Sequence, residues 1–208
     1  MKPFAGNNTE STTTIPKPTH WFTADTHFGH AGILKHQTTR PGGGDLKEHD
    51  EILIANWNAV VKKGDIVHHA GDFAWHDPEK YLRRLNGSVH LTLGNHDRMN
   101  AAQAKGFASI KDLSKVKVDG QLIYVMHYAM RVWNQSHYGT WHLYGHSHGS
   151  LPDNPNSLSF DVGVDVHSYR PISYDEVVAI MATKTWKPVD HHNPSGTIQP
   201  HAVTQKAI

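Results

Sequence analysis

The sequence predicts an α/β domain. Short apolar runs alternate with amphipathic segments through the first half of the chain, in the order expected of strands and helices that build one sheet. The second half is richer in strand-like runs. Hydrophobic residues make up 38% of the 208 residues, a share that is typical of a globular chain rather than a disordered one.

Six apolar runs are predicted strands, because each is short and is bounded by polar residues or glycine. The four stronger runs are 21–24, 66–70, 89–93 and 122–126, and the two weaker ones are 141–144 and 158–162.

Three helices are predicted between and after these strands. The first has apolar residues at helical spacing, at Leu46, Leu53, Trp57, Val60 and Val61. The second begins at Asp77-Pro78, with Asp as the N-cap and Pro in the first turn. The last begins at Ser173, where Ser173 and Glu176 form a capping-box pattern.

The chain is predicted to form one domain with polar ends. Residues 1–18, which are rich in Thr, Asn, Ser and Pro, indicate a flexible leader, residues 19–183 a single domain, and residues 184–208 a polar tail. We see no secretory signal and no apolar run of membrane-spanning length, so we expect a cytoplasmic protein without a membrane partner.

Charge and cysteine content exclude several classes of site. Lys plus Arg total 20 and Asp plus Glu total 19, and this balance provides no strong overall field for long nucleic acid. A local basic groove is still compatible with it. The chain has no cysteine, which excludes disulfides, thiolate metal ligands and a catalytic thiol.

Metal-competent side chains follow five of the predicted strands. They are Asp25 and His27, then Asp72, then Asn95, His96 and Asp97, then His127, and finally His146 and His148. Because the carboxyl ends of strands line the ligand crevice of an open α/β sheet, we expect all five groups to meet. A glycine precedes the group three times, where the backbone turns tightly or approaches another group closely.

The ligand chemistry indicates two divalent ions. Carboxylate, amide and imidazole ligands favour Mn, Fe, Zn or Ni over Cu(I) or an iron–sulfur centre. In an extended chain residues i and i+2 point the same way, so Asp25 with His27 and His146 with His148 could each present two ligands. Seven ligands exceed the needs of one tetrahedral zinc, and the count fits two ions that share a carboxylate.

The ordered series Asp-x-His, Gly-Asp, Gly-Asn-His-Asp, His and Gly-His-x-His resembles the calcineurin-like metallophosphoesterase superfamily. The segments 25–30 and 161–165 resemble its small bacterial and phage members, which include phosphodiesterases, and the resemblance runs from Trp21 to Met181. It implies two mixed β-sheets flanked by helices, in a four-layer αββα sandwich.

The resemblance also implies a role for each ligand. Asp25, His27 and His148 would bind one metal, Asn95, His127 and His146 would bind the other, and Asp72 would bridge them. His96 would contact the phosphoryl oxygen or protonate the leaving group, oriented by Asp97. The nucleophile would be a hydroxide that bridges two ions, Mn in first place with Fe, Zn or Ni as alternatives.

His30 and Arg131 are the candidate substrate contacts. His30 could touch substrate phosphate, orient a metal ligand from behind, or simply pack. Arg131 could act as a phosphate fork or form a surface salt bridge.

Other polar residues are predicted to support the fold. His68 and His69 lie within a strand, which favours structural roles or support of a ligand, and Asp161 or Asp165 could buttress a ligand histidine. The pair His191-His192 lies in the tail and is predicted to be solvated.

The leading functional hypothesis is a metal-dependent phosphodiesterase that hydrolyses small or accessible diesters, since no capping domain is evident. A nuclease on the same scaffold is an alternative, although the near-zero net charge of +1 counts against it. A non-catalytic binding scaffold is a third hypothesis, and it would be expected to lack some of the ligands. The natural substrate, the metal and the oligomeric state are not fixed by the sequence.

Overall fold

The computed structural model describes residues 17–97 and 105–189, which form nine β-strands and four α-helices. The strands are β1 His20–Thr23, β2 Ile66–His69, β3 Ser88–Thr92, β4 Ser109–Lys111, β5 Ser114–Val118, β6 Gln121–Val125, β7 Trp141–Tyr144, β8 Ser159–Asp161 and β9 Ile172–Ser173. The helices are α1 Ile33–His36, α2 Leu46–Val60, α3 Pro78–Leu82 and α4 Tyr174–Ala182, with 3-10 turns at Ser136–Tyr138 and Val164–Val166.

Most of the predicted leader and tail lies outside the described residues. This includes residues 1–16 and 190–208, and with them His191 and His192. The division into leader, single domain and tail therefore stays a prediction. None of the helices in the described part of the chain combines the length and hydropathy that a membrane span requires.

The strands form two mixed sheets. The first has the order β4-β3-β2-β1-β9, in which β1 to β4 are parallel and β9 is antiparallel to β1. The second has the order β5-β6-β7-β8, in which β5 is antiparallel and the other three strands are parallel. The predicted α/β fold of two mixed sheets flanked by helices is confirmed.

The strands that the sequence did not predict are all edge strands. β4 and β9 close the two edges of the first sheet, and β5 closes one edge of the second. Edge strands are short and partly solvated, so they lack the continuous apolar run that marks a central strand. The six predicted strands are present, with ends that differ from the prediction by at most one residue.

The helices begin where the capping chemistry predicted. The side chain of Asp77 accepts a hydrogen bond from Lys80 N at the start of α3. At the start of α4, Ser173 and Glu176 form both hydrogen bonds of a capping box. Asp45, which the sequence did not single out, caps α2 by accepting from Glu48 N.

One apolar core lies between helix α2 and the first sheet. Leu53 and Trp57 on α2 pack with Val67 of β2 and Leu91 of β3, and Trp57 is only 1% exposed. The Trp57 indole also donates a hydrogen bond to the carbonyl of Asn86 at 2.9 Å, so its polar atom is satisfied. This core fixes the helix that follows the first ligand loop against the sheet.

A second apolar core joins the two sheets. Phe22 of β1 packs with Ile123 of β6 and Leu143 of β7, and all three side chains are fully buried. A parallel bridge between Ala24 and Gly163 ties the end of β1 to the segment after β8. The central strands therefore contribute apolar side chains to a core, which explains the short apolar runs that predicted them.

The parallel strands end level with one another. In the first sheet Thr23 pairs with His69, which pairs in turn with Leu91, so the chain leaves β1, β2 and β3 side by side. In the second sheet Val125 pairs with Leu143 near the ends of β6 and β7. The loops that carry the predicted ligands therefore start from neighbouring positions.

Three stacked imidazoles lie on the first sheet, away from the predicted ligands. The His68 ring lies 5.3 Å from that of His20 and 5.5 Å from that of His90, and His68 Nε2 is 3.0 Å from His20 Nδ1. Burial, reinforced by the two neighbouring imidazoles, lowers the pKa of His68 to about 3. His68 thus has a packing role in the neutral form.

Replacing His68 by Asn should make the metal-free protein less sensitive to acid. The unfolded chain protonates a histidine near pH 6.5, whereas folded His68 does so only near pH 3, so stability is lost as the pH falls through that window. Between pH 7 and pH 5.5 the free energy of unfolding, measured with urea, should fall by about 1 kcal/mol more in the wild type than in His68→Asn. The exposed control His36→Asn should behave as wild type, and an equal loss in His68→Asn would refute the prediction.

Candidate metal centre

Backbone hydrogen bonds bring the five predicted ligand groups together. His27 N donates to the carbonyl of Asp72 at 2.9 Å, which joins the loops after β1 and β2. His96 N donates to Asp72 Oδ1 at 2.8 Å, which adds the loop after β3. In the second sheet Gly145 N donates to the carbonyl of His127 at 3.0 Å, which joins the remaining two loops.

The predicted ligands fall into two groups. Asp25, His27 and His148 form the first, and Asp72, His127 and His146 form the second, with the donor atoms of each group within 4.8 Å of one another. The seventh predicted ligand, Asn95, lies beside the second group with its Oδ1 3.0 Å from His127 Nε2. The structure thus brings all seven side chains together in two neighbouring groups.

The Asp72 carboxylate lies between the two groups. Its Oδ2 is 3.5 Å from His27 Nε2 in the first group and 3.4 Å from His127 Nε2 in the second. Its Oδ1 is held by His96 N, so Oδ2 is the atom that faces both groups.

The ligand loops have strained backbone. Of the seven predicted ligands, five have a positive φ: Asp25 58°, His27 49°, Asp72 58°, His146 70° and His148 48°. A left-handed conformation costs a non-glycine residue on the order of 1–3 kcal/mol, and such residues cluster at functional sites. The expectation of extended pairs at 25 and 27 and at 146 and 148 was wrong, because these residues turn the chain instead.

Two glycines make the close approach of the loops possible. A Cβ at Gly71 would lie 2.6 Å from His127 Nδ1, and the φ of Gly71 is +100°. A Cβ at Gly145 would lie 2.6 Å from Asp25 Oδ2. Both distances are shorter than real Cβ contacts, so a side chain would not fit at either position. The prediction that glycine before a ligand allows a close approach is therefore confirmed at Gly71 and Gly145.

The polar atoms of the second group fit a bound cation. His127 Nδ1 lies 2.8 Å from the carbonyl of Ala70 and must donate to it, which leaves Nε2 as an acceptor. That Nε2 faces two further acceptors, Asn95 Oδ1 at 3.0 Å and Asp72 Oδ2 at 3.4 Å. Three converging acceptors repel one another unless a proton or a metal ion lies between them.

The first group also fits a cation. His27 Nε2 is buried and has no hydrogen-bond partner among the described residues, and burial lowers the pKa of His27 to about 2. Its lone pair is therefore available. Burial raises the pKa of Asp25 to about 7, because the charged carboxylate has lost its hydration. A divalent cation would supply the missing countercharge.

The pKa of Asp72 moves in the opposite direction. Burial alone would raise it, but a proton on His127 Nε2, which would donate to the carboxylate and place a positive charge beside it, outweighs burial and holds the pKa of Asp72 below the usual range of a carboxyl group. Asp72 is therefore ionised at the position where it faces both groups.

Asp165 supports the ligand His148 from outside the two groups. Asp165 Oδ2 lies 2.7 Å from His148 Nδ1, which leaves His148 Nε2 available for a metal. Of the two aspartates considered for this role, Asp165 contacts the ligand, whereas Asp161 accepts from Gly163 N in a local turn.

His69 ties the loop after β1 to the loop after β2. Its Nδ1 accepts from Gly71 N at 3.2 Å, and its Nε2 lies 3.0 Å from Thr26 Oγ1. The Thr26 hydroxyl donates in turn to the carbonyl of Phe73 at 2.8 Å. His69 therefore supports the ligand loops, which is one of the two roles considered for it.

Asp97 has a different position from the one predicted. Its carboxylate accepts from the backbone N–H groups of Asp72 at 2.6 Å, Phe73 at 2.8 Å and Gly94 at 2.9 Å. The contacts among residues 17–97 and 105–189 include no hydrogen bond between Asp97 and His96. Asp97 thus clamps the Asp72 loop to the loop after β3, and the predicted orientation of His96 is not supported.

An aromatic rim lies beside the first ligand group. His30 Nδ1 is 3.1 Å from His27 Nδ1, and the His30 ring stacks on Trp75 with 4.2 Å between centroids. The His96 ring lies 5.3 Å from that of His27 and 5.4 Å from those of His30 and Trp75. Trp75 is 40% exposed and was missed in the sequence, although it lies only three residues after Asp72.

On the other side of the site, Tyr128 covers the second group. Its ring lies 4.7 Å from that of His146, and its hydroxyl donates weakly to Asn95 Oδ1 at 3.4 Å. Arg131 is not brought to either group: its exposed side chain lines a separate cavity of about 200 Å³ together with Trp133 and Trp186.

Comparison with known proteins identifies the family. The calcineurin-like phosphoesterase superfamily domain matches residues 21–160, which is more than half of the chain. The chain belongs to this superfamily. Membership implies a hydrolase that acts on phosphoric esters with divalent metal ions, for which the two ligand groups are candidate sites.

The chain is also similar in sequence to individual proteins. The chain is 30% identical over 168 residues to an uncharacterized protein of Methanocaldococcus jannaschii, a match that covers 76% of this chain and 88% of that protein. It is 35% identical over 83 residues to the gene 66 protein of Mycobacterium phage L5, covering 37% of this chain and 39% of that one.

Among solved structures, the fold is similar to that of a protein of unknown function from Aquifex aeolicus. The TM-score is 0.62 at 24% identity, and the match covers 79% of this chain and 100% of that chain. At this identity the similarity shows the shared fold.

Replacing Asp97 by Asn separates the predicted role of Asp97 from the observed one. If Asp97 accepts hydrogen bonds from three backbone N–H groups, the free energy of unfolding of the metal-free variant, measured with urea, should be roughly 1–3 kcal/mol lower, because an amide cannot accept from all three. The exposed control Asp112→Asn should be unchanged. A variant with wild-type stability and reduced turnover would instead support a role in orienting His96.

Proposed function

We propose that the protein is a dinuclear metal-dependent phosphodiesterase that hydrolyses small or accessible phosphodiesters. The observation that carries the proposal is the position of Asp72 Oδ2, which lies 3.5 Å from His27 Nε2 and 3.4 Å from His127 Nε2. One carboxylate oxygen that faces two groups of ligands is suited to bridging two metal ions.

Each ligand group would hold one ion. Asp25, His27 and His148 would bind the first, Asn95, His127 and His146 the second, and Asp72 both. Mn²⁺ is the first candidate, and Fe, Zn and Ni suit the same oxygen and nitrogen ligands. Two bound ions would supply an activated water and positive charge against the phosphoryl oxygens.

His96 is the candidate proton donor. Its backbone is fixed by the hydrogen bond to Asp72 Oδ1, and its partly exposed ring lies at the rim between His27 and Trp75. From there it can protonate the oxygen of the leaving alcohol or bind a phosphoryl oxygen. General acid catalysis of this kind typically contributes about 10²–10⁴-fold to the rate.

Two features favour a diester over a monoester. Asn95 and His146 are exposed, so a substrate with groups on both sides of the phosphorus has room at the site. In the described part of the chain, Arg40 is the only Lys or Arg that hydrogen-bonds a predicted ligand, and its side chain is fully buried. A singly charged diester needs less cationic recognition than a doubly charged monoester.

Metal-dependent turnover tests the reaction and the site together. The stripped protein reloaded with Mn²⁺ should hydrolyse bis(p-nitrophenyl) phosphate faster than p-nitrophenyl phosphate. His96→Ala should keep its bound metal but lose roughly 10²–10⁴-fold in kcat, because only proton transfer is removed. Asp72→Ala should lose both metal and turnover.

The exposed variant His36→Ala is the matched control and should retain full activity. Faster hydrolysis of the monoester would contradict the diester preference. A steep loss of activity on oligonucleotides with rising salt would indicate the nuclease alternative, because binding through many phosphates releases counterions.

Trp75 should contribute to the binding of aryl diesters. Its ring stacks on His30 and is 40% exposed, so Trp75→Ala should raise KM for bis(p-nitrophenyl) phosphate by roughly 2–10-fold with little change in kcat. Tyr138→Ala, at a residue that is 76% exposed, is the control for loss of a surface aromatic. An unchanged KM in Trp75→Ala would remove Trp75 from the substrate site.

A further inference from the structure

A buried arginine lies behind the first ligand group. The Arg40 side chain is 0% exposed and forms a two-pronged ion pair with Asp165, in which Nε donates to Oδ1 at 2.9 Å and Nη2 donates to Oδ2 at 2.6 Å. The pair joins positions 125 residues apart in the sequence. Neither the motifs nor the predicted elements singled out Arg40.

The other donors of Arg40 reach the first ligand loop. Nη2 donates to the carbonyl of Asp25 at 2.7 Å, and Nη1 donates to the carbonyl of Thr26 at 3.2 Å. Nη1 also lies 3.4 Å from His49 Nε2. All five N–H donors of the guanidinium therefore have an acceptor, which is the full capacity of the group.

These contacts connect two ligands from different sheets. Asp25 follows β1, and Arg40 holds its carbonyl in the left-handed conformation with φ of 58°. His148 follows β7, and Arg40 fixes Asp165, whose Oδ2 lies 2.7 Å from His148 Nδ1. The same guanidinium thus sets the position of two of the three side chains in the first group.

The second ligand group is held by other residues. His127 Nδ1 is fixed by the carbonyl of Ala70, and the Asp72 loop is clamped by Asp97. Among the described contacts of Arg40, none reaches Asn95 or His127. Arg40 therefore supports the first group directly and reaches the second only through Asp25, whose Oδ2 accepts from His146 N at 2.9 Å.

We propose that Arg40 is a positioning residue specific to the metal site of Asp25, His27 and His148. This inference rests on the proposed dinuclear function. A lysine at this position keeps the charge but has neither the planar fork nor enough donors for four acceptor groups. Its loss should weaken one metal site and leave the other intact, which a general defect of the fold would not do.

The experiment is a metal-binding titration of Arg40→Lys against wild type, with Mn²⁺ alone as the probe. Stoichiometry and affinity are measured by calorimetry and by metal analysis after dialysis against a weak chelator. Loss of a group that supports a ligand typically costs about 10–100-fold in metal affinity. We expect wild type to bind two ions, and Arg40→Lys to bind one as wild type and the other about 10–100-fold more weakly.

Arg170→Lys is the matched control. Arg170 also forms a two-pronged pair, with Glu176 at 3.2 Å and 2.6 Å, but that pair lies at the start of α4 away from the ligands. It should bind both ions as wild type does. If Arg40→Lys does not fold, as judged by circular dichroism, Asp165→Asn removes the same fork from the other side and should weaken the same single site.

Each outcome decides between the inference and the function on which it rests. Two ions bound as tightly by Arg40→Lys as by wild type would overturn the inference and leave the dinuclear site standing. Equal weakening of both ions would also overturn it. A wild type that binds a single ion contradicts the dinuclear proposal, and the inference then stands only if Arg40→Lys weakens that ion.

Discussion

The structure of the site depends on the ionised carboxylate of Asp72. Its Oδ2 lies between His27 Nε2, on the loop after the first strand of one sheet, and His127 Nε2, on a loop of the other sheet. Both sheets must therefore pack with the ends of their parallel strands at the same edge. The apolar core around Phe22, Ile123 and Leu143 maintains this arrangement, so the packing of the sheets is a condition for the chemistry.

The ligand loops are held in conformations that the backbone does not favour. Positive φ angles at five predicted ligands, of which Asp25 and Asp72 are the most buried carboxylates, cost energy that the two apolar cores must offset. Buried polar side chains fix each strained loop: Asp97 and His69 hold the Asp72 loop, and Arg40 holds the Asp25 loop. Such support keeps ligand atoms in place before a metal binds, which reduces the cost of ordering them on binding.

The sequence predicted the central strands well and the supporting contacts poorly. The strands before Asp25, Asp72 and Asn95 were found because each places apolar side chains in a core and therefore contains a short apolar run. Edge strands carry no such signal. Arg40 contacts Asp165 across 125 positions, and no local pattern marks a pair so distant in the chain. The backbone contacts of Asp97 were not predicted, because adjacency to His96 indicates nothing about where its carboxylate points.

The most direct test of a shared carboxylate is the electron paramagnetic resonance spectrum of the protein loaded with two equivalents of Mn²⁺. Ions that share the Asp72 carboxylate should be close enough to couple, so the account predicts the spectrum of a spin-coupled pair, which Asp72→Asn should abolish. Two uncoupled ions, or a spectrum that Asp72→Asn leaves unchanged, would contradict the bridging position of Asp72 on which the proposed function rests.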